Sequence, residues 1–154
     1  MTTPHLLEDL ERDEGRRLFP YRDTRGFWTI GVGHNVSADP AMRADLPELE
    51  RAGITQAAVA ALLGADVARV MAALDRQLPW WRTHNDARQD VLVSLAFNLG
   101  EGELATWRHT LTDIEAGNFK AAAVDLEHDE PWAGQVKARA QRLAVQMETG
   151  ERVT

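Results

Sequence analysis

Two carboxylates and one hydroxyl near the start of the chain could together hydrolyse a glycosidic bond. They belong to Glu14, Asp23 and Thr29. Glu14 falls at the C-terminal end of the first predicted helix, where the helix dipole disfavours a carboxylate. A residue that is unfavourable for local structure is often present because it has a function. Hydrolysis needs an acid that keeps its proton, a carboxylate that stays ionised and a group that orients water, so these residue types suit the reaction.

Each of the three residues also has a purely structural explanation. Aspartate is common in turns, glutamate on helices and threonine on strands. Spacing alone therefore favours the structural explanation over the catalytic one, and the surrounding sequence has to decide between them.

Other kinds of catalytic site find less support in the sequence. The chain has no cysteine, which excludes a thiol nucleophile, a disulfide scaffold and a zinc ribbon. The five histidines lack the spacing of metal ligands, so we expect no metal and no cofactor. Gly31 and Gly33 are accompanied by no phosphate-loop lysine and are predicted to be strand and bend glycines.

The elements that must position these residues can be predicted from periodicity and turn residues. Thr3 and Pro4 predict the start of a short amphipathic helix that ends near Glu14 or Gly15. Aromatic and β-branched residues on both sides of a turn cluster, residues 23–26, predict a β-hairpin followed by a third short strand or a tight bend. The hairpin brings Thr29 close enough to Asp23 to share a water molecule.

The remainder of the chain is predicted to be mostly helical. A helix over 55–78 begins at Thr55 and stops at Pro79, and Asp86–Leu99 is apolar nearly all round, which predicts a buried central helix. Weaker patterns predict helices at 41–51, 104–116, 119–127 and 135–148. The fold class is therefore α+β and mostly helical. We expect a single domain over 1–154 with a β-containing lobe at 15–55, an inter-lobe helix at 56–78 and a helical lobe formed by 1–14 and 79–154.

The charge balance and the ends of the chain narrow the class of protein. Acidic residues number 24 and basic residues 17, a net charge of −7 spread along the chain, which argues against a nucleic-acid partner. The N-terminus lacks the pattern of a signal peptide, and the apolar runs Ala57–Ala65 and Val91–Leu99 are shorter than the ~18 residues that span a bilayer. We therefore expect neither an export signal nor a transmembrane segment.

Three strings in the first part of the chain resemble the active-site signature of the phage-type lysozymes. They are Asp13-Glu14-Gly15, Tyr21-Arg22-Asp23-Thr24-Arg25-Gly26 and Trp28-Thr29-Ile30-Gly31-Val32-Gly33-His34. The resemblance continues through the inter-lobe helix, the run VLVSLAFNLGE, Trp132 and the run KARAQR, in the same order over most of the chain. Residues 38–54 match poorly.

The resemblance implies a hydrolase that cuts the β-1,4 bond between N-acetylmuramic acid and N-acetylglucosamine in bacterial peptidoglycan. In this family Glu14 would be the general acid that protonates the leaving oxygen, so it should be partly buried. Asp23 and Thr29 would position and activate the attacking water, with inversion at the sugar carbon. The family fold is a β-hairpin lobe and a helical lobe joined by a long helix.

The resemblance also implies roles for residues outside the three strings. Phe97 and Asn98 would line the substrate groove, although core packing is an alternative for Phe97. Arg139 would lie near Glu14 and hold it in place. His34 would pair with Asp66 on the long helix and tie the hairpin lobe to the helical lobe, whereas a simple solvent-facing histidine is the alternative.

The family context predicts a phage endolysin that works as a monomer. It would wait in the host cytoplasm and reach periplasmic peptidoglycan through a membrane lesion made by a holin-type partner. Alternatives are an inactive peptidoglycan-binding or structural module, a lytic transglycosylase, or a virion-borne or secreted domain. Retention of Glu14, Asp23 and Thr29 favours an active hydrolase over the first two, since a transglycosylase needs no positioned water.

Two features depart from the family pattern. An acidic enzyme should bind an anionic cell wall weakly and tolerate salt, unless a local basic patch governs binding; the candidates are Arg12, Arg16, Arg17, Arg22 and Arg25. Arg108, His109 and Asp125 stand where smaller or amide side chains are expected, which puts substrate preference in question.

Overall fold

A computed structural model describes residues 2–129 and 131–154. One antiparallel sheet has the strand order β1-β2-β3, formed by β1 Arg17–Arg22, β2 Trp28–Gly31 and β3 His34–Asn35. The helices are α1 Leu6–Glu14, α2 Pro40–Ala44, α3 Leu46–Ala52, α4 Gln56–Gln77, α5 Asp86–Leu99, α6 Glu101–Leu104, α7 Arg108–Ala116, α8 Phe119–His128, α9 Trp132–Gln135 and α10 Lys137–Thr149. Short 3-10 helices cover Val36–Ala38 and Trp81–Thr83. The predicted fold class, α+β and mostly helical, is confirmed.

The chain divides into two compact units. One unit is Leu7–Ala68, and the other is Met1–Leu6 together with Arg69–Thr154. The boundary between them falls within α4. The lobe boundaries drawn from the sequence stay a prediction.

The smaller unit is built around the predicted hairpin. Tyr21 lies opposite Thr29 and Arg22 opposite Trp28 in the antiparallel pairing of β1 with β2, and an irregularity in register separates Arg17 from Tyr21. Because β1 lies against the end of α3, the chain there needs a glycine. Gly53 has φ 67°, and a Cβ at this position would lie 2.7 Å from the carbonyl oxygen of Leu18.

The larger unit has α5 as its central helix. Val91, Leu92, Val93 and Leu95 are completely buried, which confirms the prediction of a buried helix. The helix begins where the side chain of Asn85 accepts a hydrogen bond from the N–H of Arg88 at 3.0 Å. Helices α7, α8 and α10 bury one face each and keep the other exposed, as amphipathic surface helices do.

The start of α1 differs from the prediction. The helix begins at Leu6, two residues after Pro4, and not directly after Thr3. The N–H of Thr3 instead donates to Asp90 Oδ1 at 3.0 Å, and its hydroxyl donates to Asp90 Oδ2. Asp90 lies on α5 and is 2% exposed, so a long-range need to satisfy a buried carboxylate outweighs the local capping preference.

Three predicted helices are broken in the structure. The segment 41–51 is split at Asp45, because Pro47 has no N–H to donate to the carbonyl of Arg43 and its ring would clash with that carbonyl in a continuous helix. The segment 104–116 is interrupted after α6, where the hydroxyl of Thr106 donates to the carbonyl of Glu103 at 2.6 Å and competes with the helical pattern. The segment 135–148 begins at Lys137 after the short helix α9.

Helix α4, 22 residues long, extends beyond the apolar run Ala57–Ala65 from which the sequence predicts no membrane span. By length and composition its residues Gln56–Gln77 could cross a membrane. This is weak evidence for insertion, because the core helix of a soluble protein passes the same test. Val59, Leu63, Val70 and Leu74 are buried within the protein, which accounts for the apolar character of one face.

Candidate active site

Glu14 is the last residue of α1, as the sequence predicts, and its side chain is half-buried. The helix ends there because Gly15 has φ 77°, and its N–H closes the last turn on Glu11 at 2.8 Å. Arg16 follows, and its guanidinium binds both carboxylate oxygens of Glu11 at 2.7 and 2.9 Å and Gln56 Oε1 at 2.7 Å. The hydrogen bond from Arg16 lowers the pKa of Glu11.

Asp23 organises the turn between β1 and β2. Its Oδ1 accepts hydrogen bonds from the N–H groups of Arg25 and Phe27, both at 2.9 Å. This geometry suits an aspartate because its short side chain reaches back to the backbone of its own turn. Within the described residues Oδ2 of Asp23 has no hydrogen-bond partner, so this oxygen can accept a hydrogen bond from a water molecule.

Thr29 lies on β2 and is 4% exposed. Its hydroxyl donates to the carbonyl oxygen of Phe27 at 3.0 Å, and the same carbonyl accepts the N–H of Asp23 at 2.9 Å. Because its one hydrogen is used in this bond, the hydroxyl oxygen of Thr29 can act only as an acceptor toward a water molecule. The Phe27 carbonyl thus binds both the backbone N–H of Asp23 and the hydroxyl of Thr29.

Tyr21 is a residue of this site that sequence reasoning missed as a functional candidate. Burial raises the pKa of its phenol, and the negative charges of Glu14 and Asp23 act in the same direction, while Arg17 opposes them. Tyr21 is therefore within electrostatic range of both carboxylates, and it pairs with Thr29 across the strands. Its place two residues before Asp23 in an alternating strand was the available signal.

His34 makes the contact with Asp66 that the family resemblance implies. Its Nδ1 lies 2.7 Å from Asp66 Oδ2, and both side chains are 13% exposed. Its Nε2 lies 3.0 Å from Asp39 Oδ2, a second partner that the sequence did not reveal. The hydrogen bond with Asp66 is the largest cause that raises the pKa of His34, and Asp39 adds to it, while burial acts in the opposite direction.

Asp39 has a structural role of its own. Its Oδ1 accepts the N–H of Met42 at 3.1 Å and caps α2, which has Pro40 as its first residue. This hydrogen bond, followed by the one with His34, lowers the pKa of Asp39. An aspartate directly before a proline at a helix start was the sequence signal for the cap, but not for its bond to the histidine.

Three further predicted residues lie in the larger unit. Phe97 and Asn98 occupy the last turn of α5 and are half-buried, and Asn98 Oδ1 accepts the indole N–H of Trp132 at 2.7 Å. Arg139 is half-buried in the first turn of α10. Substrate contact for Phe97 and Asn98, and contact of Arg139 with Glu14, stay predictions.

His109, Asp113 and Asp125 form an acidic cluster with one histidine, in which the potential metal-ligand atoms lie within 4.8 Å of one another. His109 Nδ1 lies 2.9 Å from Asp125 and 3.6 Å from Asp113. The hydrogen bond with Asp125 raises the pKa of His109, so a protonated histidine can balance these carboxylates without a metal ion. Histidine spacing could not reveal the cluster because Asp125 comes from a different helix.

The sequence is similar to a known protein family and to several individual proteins. The family model described as phage lysozyme matches residues 11–142. The chain is 31% identical over 162 residues to the pre-baseplate central spike protein Gp5 of Enterobacteria phage T4, an alignment that covers 94% of the chain and spans 28% of that protein's length. It is 25% identical over 161 residues to the probable T4-type lysozyme 1 of Dictyostelium discoideum, with 94% of each covered. It is also 34% identical over 116 residues to the endolysin of Salmonella phage P22, with 74% of this chain and 73% of that protein covered.

Proposed function

The chain belongs to the phage lysozyme family, and on that premise we propose that it hydrolyses the β-1,4 bond between N-acetylmuramic acid and N-acetylglucosamine in bacterial peptidoglycan. The observation that best supports this proposal is the shared use of the Phe27 carbonyl by Asp23 and Thr29. That arrangement offers a water molecule two acceptors, one anionic and one neutral, whose positions are fixed by a short turn. A turn aspartate with a merely structural role would not require the hydroxyl beside it.

Each catalytic residue takes one task in the proposed reaction. Glu14 gives its proton to the glycosidic oxygen as the bond to the sugar carbon breaks. A water molecule held by Asp23 and Thr29 attacks that carbon from the opposite face, and the carboxylate of Asp23 takes the water's proton. The negative charge of Asp23 also stabilises the positive charge that develops on the ring.

Attack by water on the opposite face inverts the configuration at the sugar carbon. An inverting enzyme leaves room for that water between its acid and its base, whereas a retaining enzyme forms a covalent intermediate. We propose inversion because Thr29 gives the water a second fixed acceptor besides Asp23. Proton NMR of the first sugar anomer released distinguishes the two outcomes directly.

Residues of the larger unit are proposed to bind and support. Asn98, whose amide oxygen accepts the indole N–H of Trp132, is proposed to contact the sugars of the substrate. Phe97 beside it offers an apolar surface to a sugar ring. Arg139 is proposed to hold Glu14 in position.

Two biological settings are proposed for this activity. In the first the protein is a monomeric endolysin that waits in the host cytoplasm and reaches periplasmic peptidoglycan through a holin-type lesion, which the similarity to the phage P22 endolysin supports. In the second it works within the virion, which the similarity to a phage spike protein supports. Mass spectrometry of purified virions separates them, since an endolysin is found in the lysate and a spike component in the particle.

Product analysis tests the reaction itself against its alternatives. A hydrolase leaves a reducing muramic acid end, whereas a lytic transglycosylase leaves an anhydro ring that is lighter by one water molecule. Purified peptidoglycan is digested, and the fragments are weighed by mass spectrometry. Anhydro products would replace the proposal with transglycosylation, and a folded protein that yields no fragments would favour a binding module.

A further inference from the structure

The hairpin carries a positive charge that is unusual for this chain. Residues 16–28 contain four arginines and one aspartate, a net charge of +3, whereas the whole chain carries −7. Arg12 precedes this segment and Arg16 is its first residue, and both pair with carboxylates on α1. The remaining arginines, Arg17, Arg22 and Arg25, are exposed, and we call these three residues the arginine rim.

Each guanidinium of the arginine rim stacks on an aromatic ring. The distance from the guanidinium carbon to the ring centroid is 4.6 Å for Arg17 over Tyr21, 4.6 Å for Arg22 over Trp28 and 5.5 Å for Arg25 over Phe27. Stacking restrains a guanidinium and leaves its N–H edges available to a ligand. The three guanidinium groups of the arginine rim are therefore held in place by the rings on which they stack.

The hydrogen bonds of the rim differ from those of exposed arginines elsewhere in the protein. Arg51 and Arg69 each bind a carboxylate, at 2.5 and 2.9 Å. In the part of the chain that the structure describes, the guanidinium groups of Arg17 and Arg25 donate no hydrogen bond. The chain has 24 acidic residues, yet Arg17 and Arg25 form no ion pair with any of them in the described residues. Their guanidinium groups are therefore available to bind an anionic ligand.

The rim lies around the residues proposed for catalysis. Arg22 and Arg25 flank Asp23 in the same turn, and the N–H of Arg25 binds the Asp23 carboxylate at 2.9 Å. Arg17 contacts Tyr21, whose phenol experiences the charges of both Glu14 and Asp23. Any polymer that brings its reacting bond to Asp23 therefore also brings its neighbouring substituents to the rim.

We propose that the arginine rim binds the carboxylates of the acidic peptides that branch from the glycan strand, which makes Arg17 and Arg25 specificity-determining residues. This inference rests on the proposed function, since the muramic acid next to the cleaved bond carries such a peptide. Planar guanidinium groups match carboxylates in charge and in paired hydrogen-bond geometry. An anionic membrane is a less suitable partner because it would cover the turn that holds Asp23.

The first test compares two forms of the same substrate. Peptide-bearing peptidoglycan and glycan strands stripped of peptides by an amidase are offered to the parent and to the double variant Arg17→Gln, Arg25→Gln. The control double variant Arg51→Gln, Arg69→Gln removes the same charge from other surfaces. We expect the ratio of kcat/KM for peptide-bearing over peptide-free glycan to fall about fivefold in the rim variant, mainly through KM, and to stay unchanged in the control. An equal ratio in both variants overturns the proposal.

A binding measurement separates failure of the rim from failure of the proposed function. The Glu14→Gln variant, with and without the rim substitutions, is sedimented with insoluble peptidoglycan before and after amidase treatment. Preference for peptide-bearing material that depends on the rim supports the inference even if no hydrolysis occurs. Binding that ignores the peptides contradicts it, and rim-dependent binding to anionic lipid vesicles without peptide preference replaces the peptide with a membrane partner.

Discussion

Asp23 and Thr29 hydrogen-bond to the same acceptor, the carbonyl oxygen of Phe27, at 2.9 and 3.0 Å. One contact comes from the backbone N–H of Asp23 and the other from the hydroxyl of Thr29. The shared carbonyl fixes the spacing of the two residues without any direct bond between them. It also commits the hydroxyl hydrogen of Thr29, so the oxygen of that side chain can accept a hydrogen bond from water.

Removal of the Thr29 hydroxyl should impair the reaction more than the fold. Thr29→Val keeps the shape of the side chain and leaves the Phe27 carbonyl bonded to Asp23, so we expect kcat to fall about tenfold to a hundredfold. Thr112→Val is the matched control, because its hydroxyl also donates to a backbone carbonyl, at 2.7 Å on α7. Equal activity of the two variants in a peptidoglycan-clearing assay would remove Thr29 from the site.

Two substitutions of Asp23 distinguish its structural role from its chemical role. In Asp23→Asn the amide oxygen still accepts from Arg25 and Phe27, but no anion remains, so we expect kcat to fall about a thousandfold with nearly unchanged stability. In Asp23→Ala both roles are lost, and the free energy of unfolding should fall by about 1 kcal/mol as well. Urea denaturation and rate measurements on both variants give the comparison. An active Asp23→Asn variant contradicts the role of this carboxylate as base.

The pair of His34 and Asp66 should make stability depend on pH. Contact with Asp66 raises the pKa of His34 in the folded state, so the protonated ring stabilises the fold below the unfolded value of about 6.5. This contribution is lost as pH rises through the folded pKa. We expect Asp66→Asn to lower the free energy of unfolding by about 2 kcal/mol near pH ~5.5, to approach the parent near pH ~9, and to keep its activity.

A second histidine pair provides the control for that experiment. His109 also binds an aspartate, Asp125, but its side chain is 84% exposed and the pair is screened by solvent. Asp125→Asn should therefore change stability far less than Asp66→Asn at the same pH. A difference between parent and Asp66→Asn that does not vary with pH would show that the ion pair contributes no pH-dependent stability.

The N-terminal segment should be stabilised by the buried Asp90. The hydroxyl and N–H of Thr3 both bind this carboxylate, which lies within the larger unit. Thr3→Val removes the hydroxyl from a buried charge, so we expect a loss of about 1–3 kcal/mol in thermal or urea denaturation. Thr2→Val provides a neighbouring control of the same chemistry. Equal stability of the two variants would show that other contacts satisfy Asp90.

Local patterns account for the parts of the fold that the sequence predicts well. The hairpin, the end of α1 at Glu14 and the bounds of α5 follow from turn residues, a glycine with positive φ and an apolar run, each decided within a few residues. Thr3 shows the limit of this reasoning, since its partner Asp90 is 87 residues away. A capping preference of about 1 kcal/mol is outweighed by two hydrogen bonds to a buried carboxylate.

In the candidate site, too, the sequence predicts the residue types but not the contacts between residues that the fold brings together. Residue types and the motifs that resemble the family indicate Glu14, Asp23 and Thr29. The sequence cannot reveal their shared backbone acceptor, because every residue has a carbonyl oxygen whatever its side chain. Asp39 was missed as a partner of His34 for a related reason. Its position before Pro40 predicts a helix cap, and its second oxygen meets the histidine only through the path of the loop.

The most direct test of the central claim is loss of turbidity of purified peptidoglycan with the parent protein and with Glu14→Gln. The variant keeps the size and the hydrogen-bonding capacity of the side chain but has no acidic proton to give to the leaving oxygen. We predict that the parent clears the suspension and that the variant, folded by circular dichroism, does not. Clearing by both proteins would contradict the role of Glu14 as the acid, and clearing by neither over a range of pH and salt would contradict the hydrolase itself.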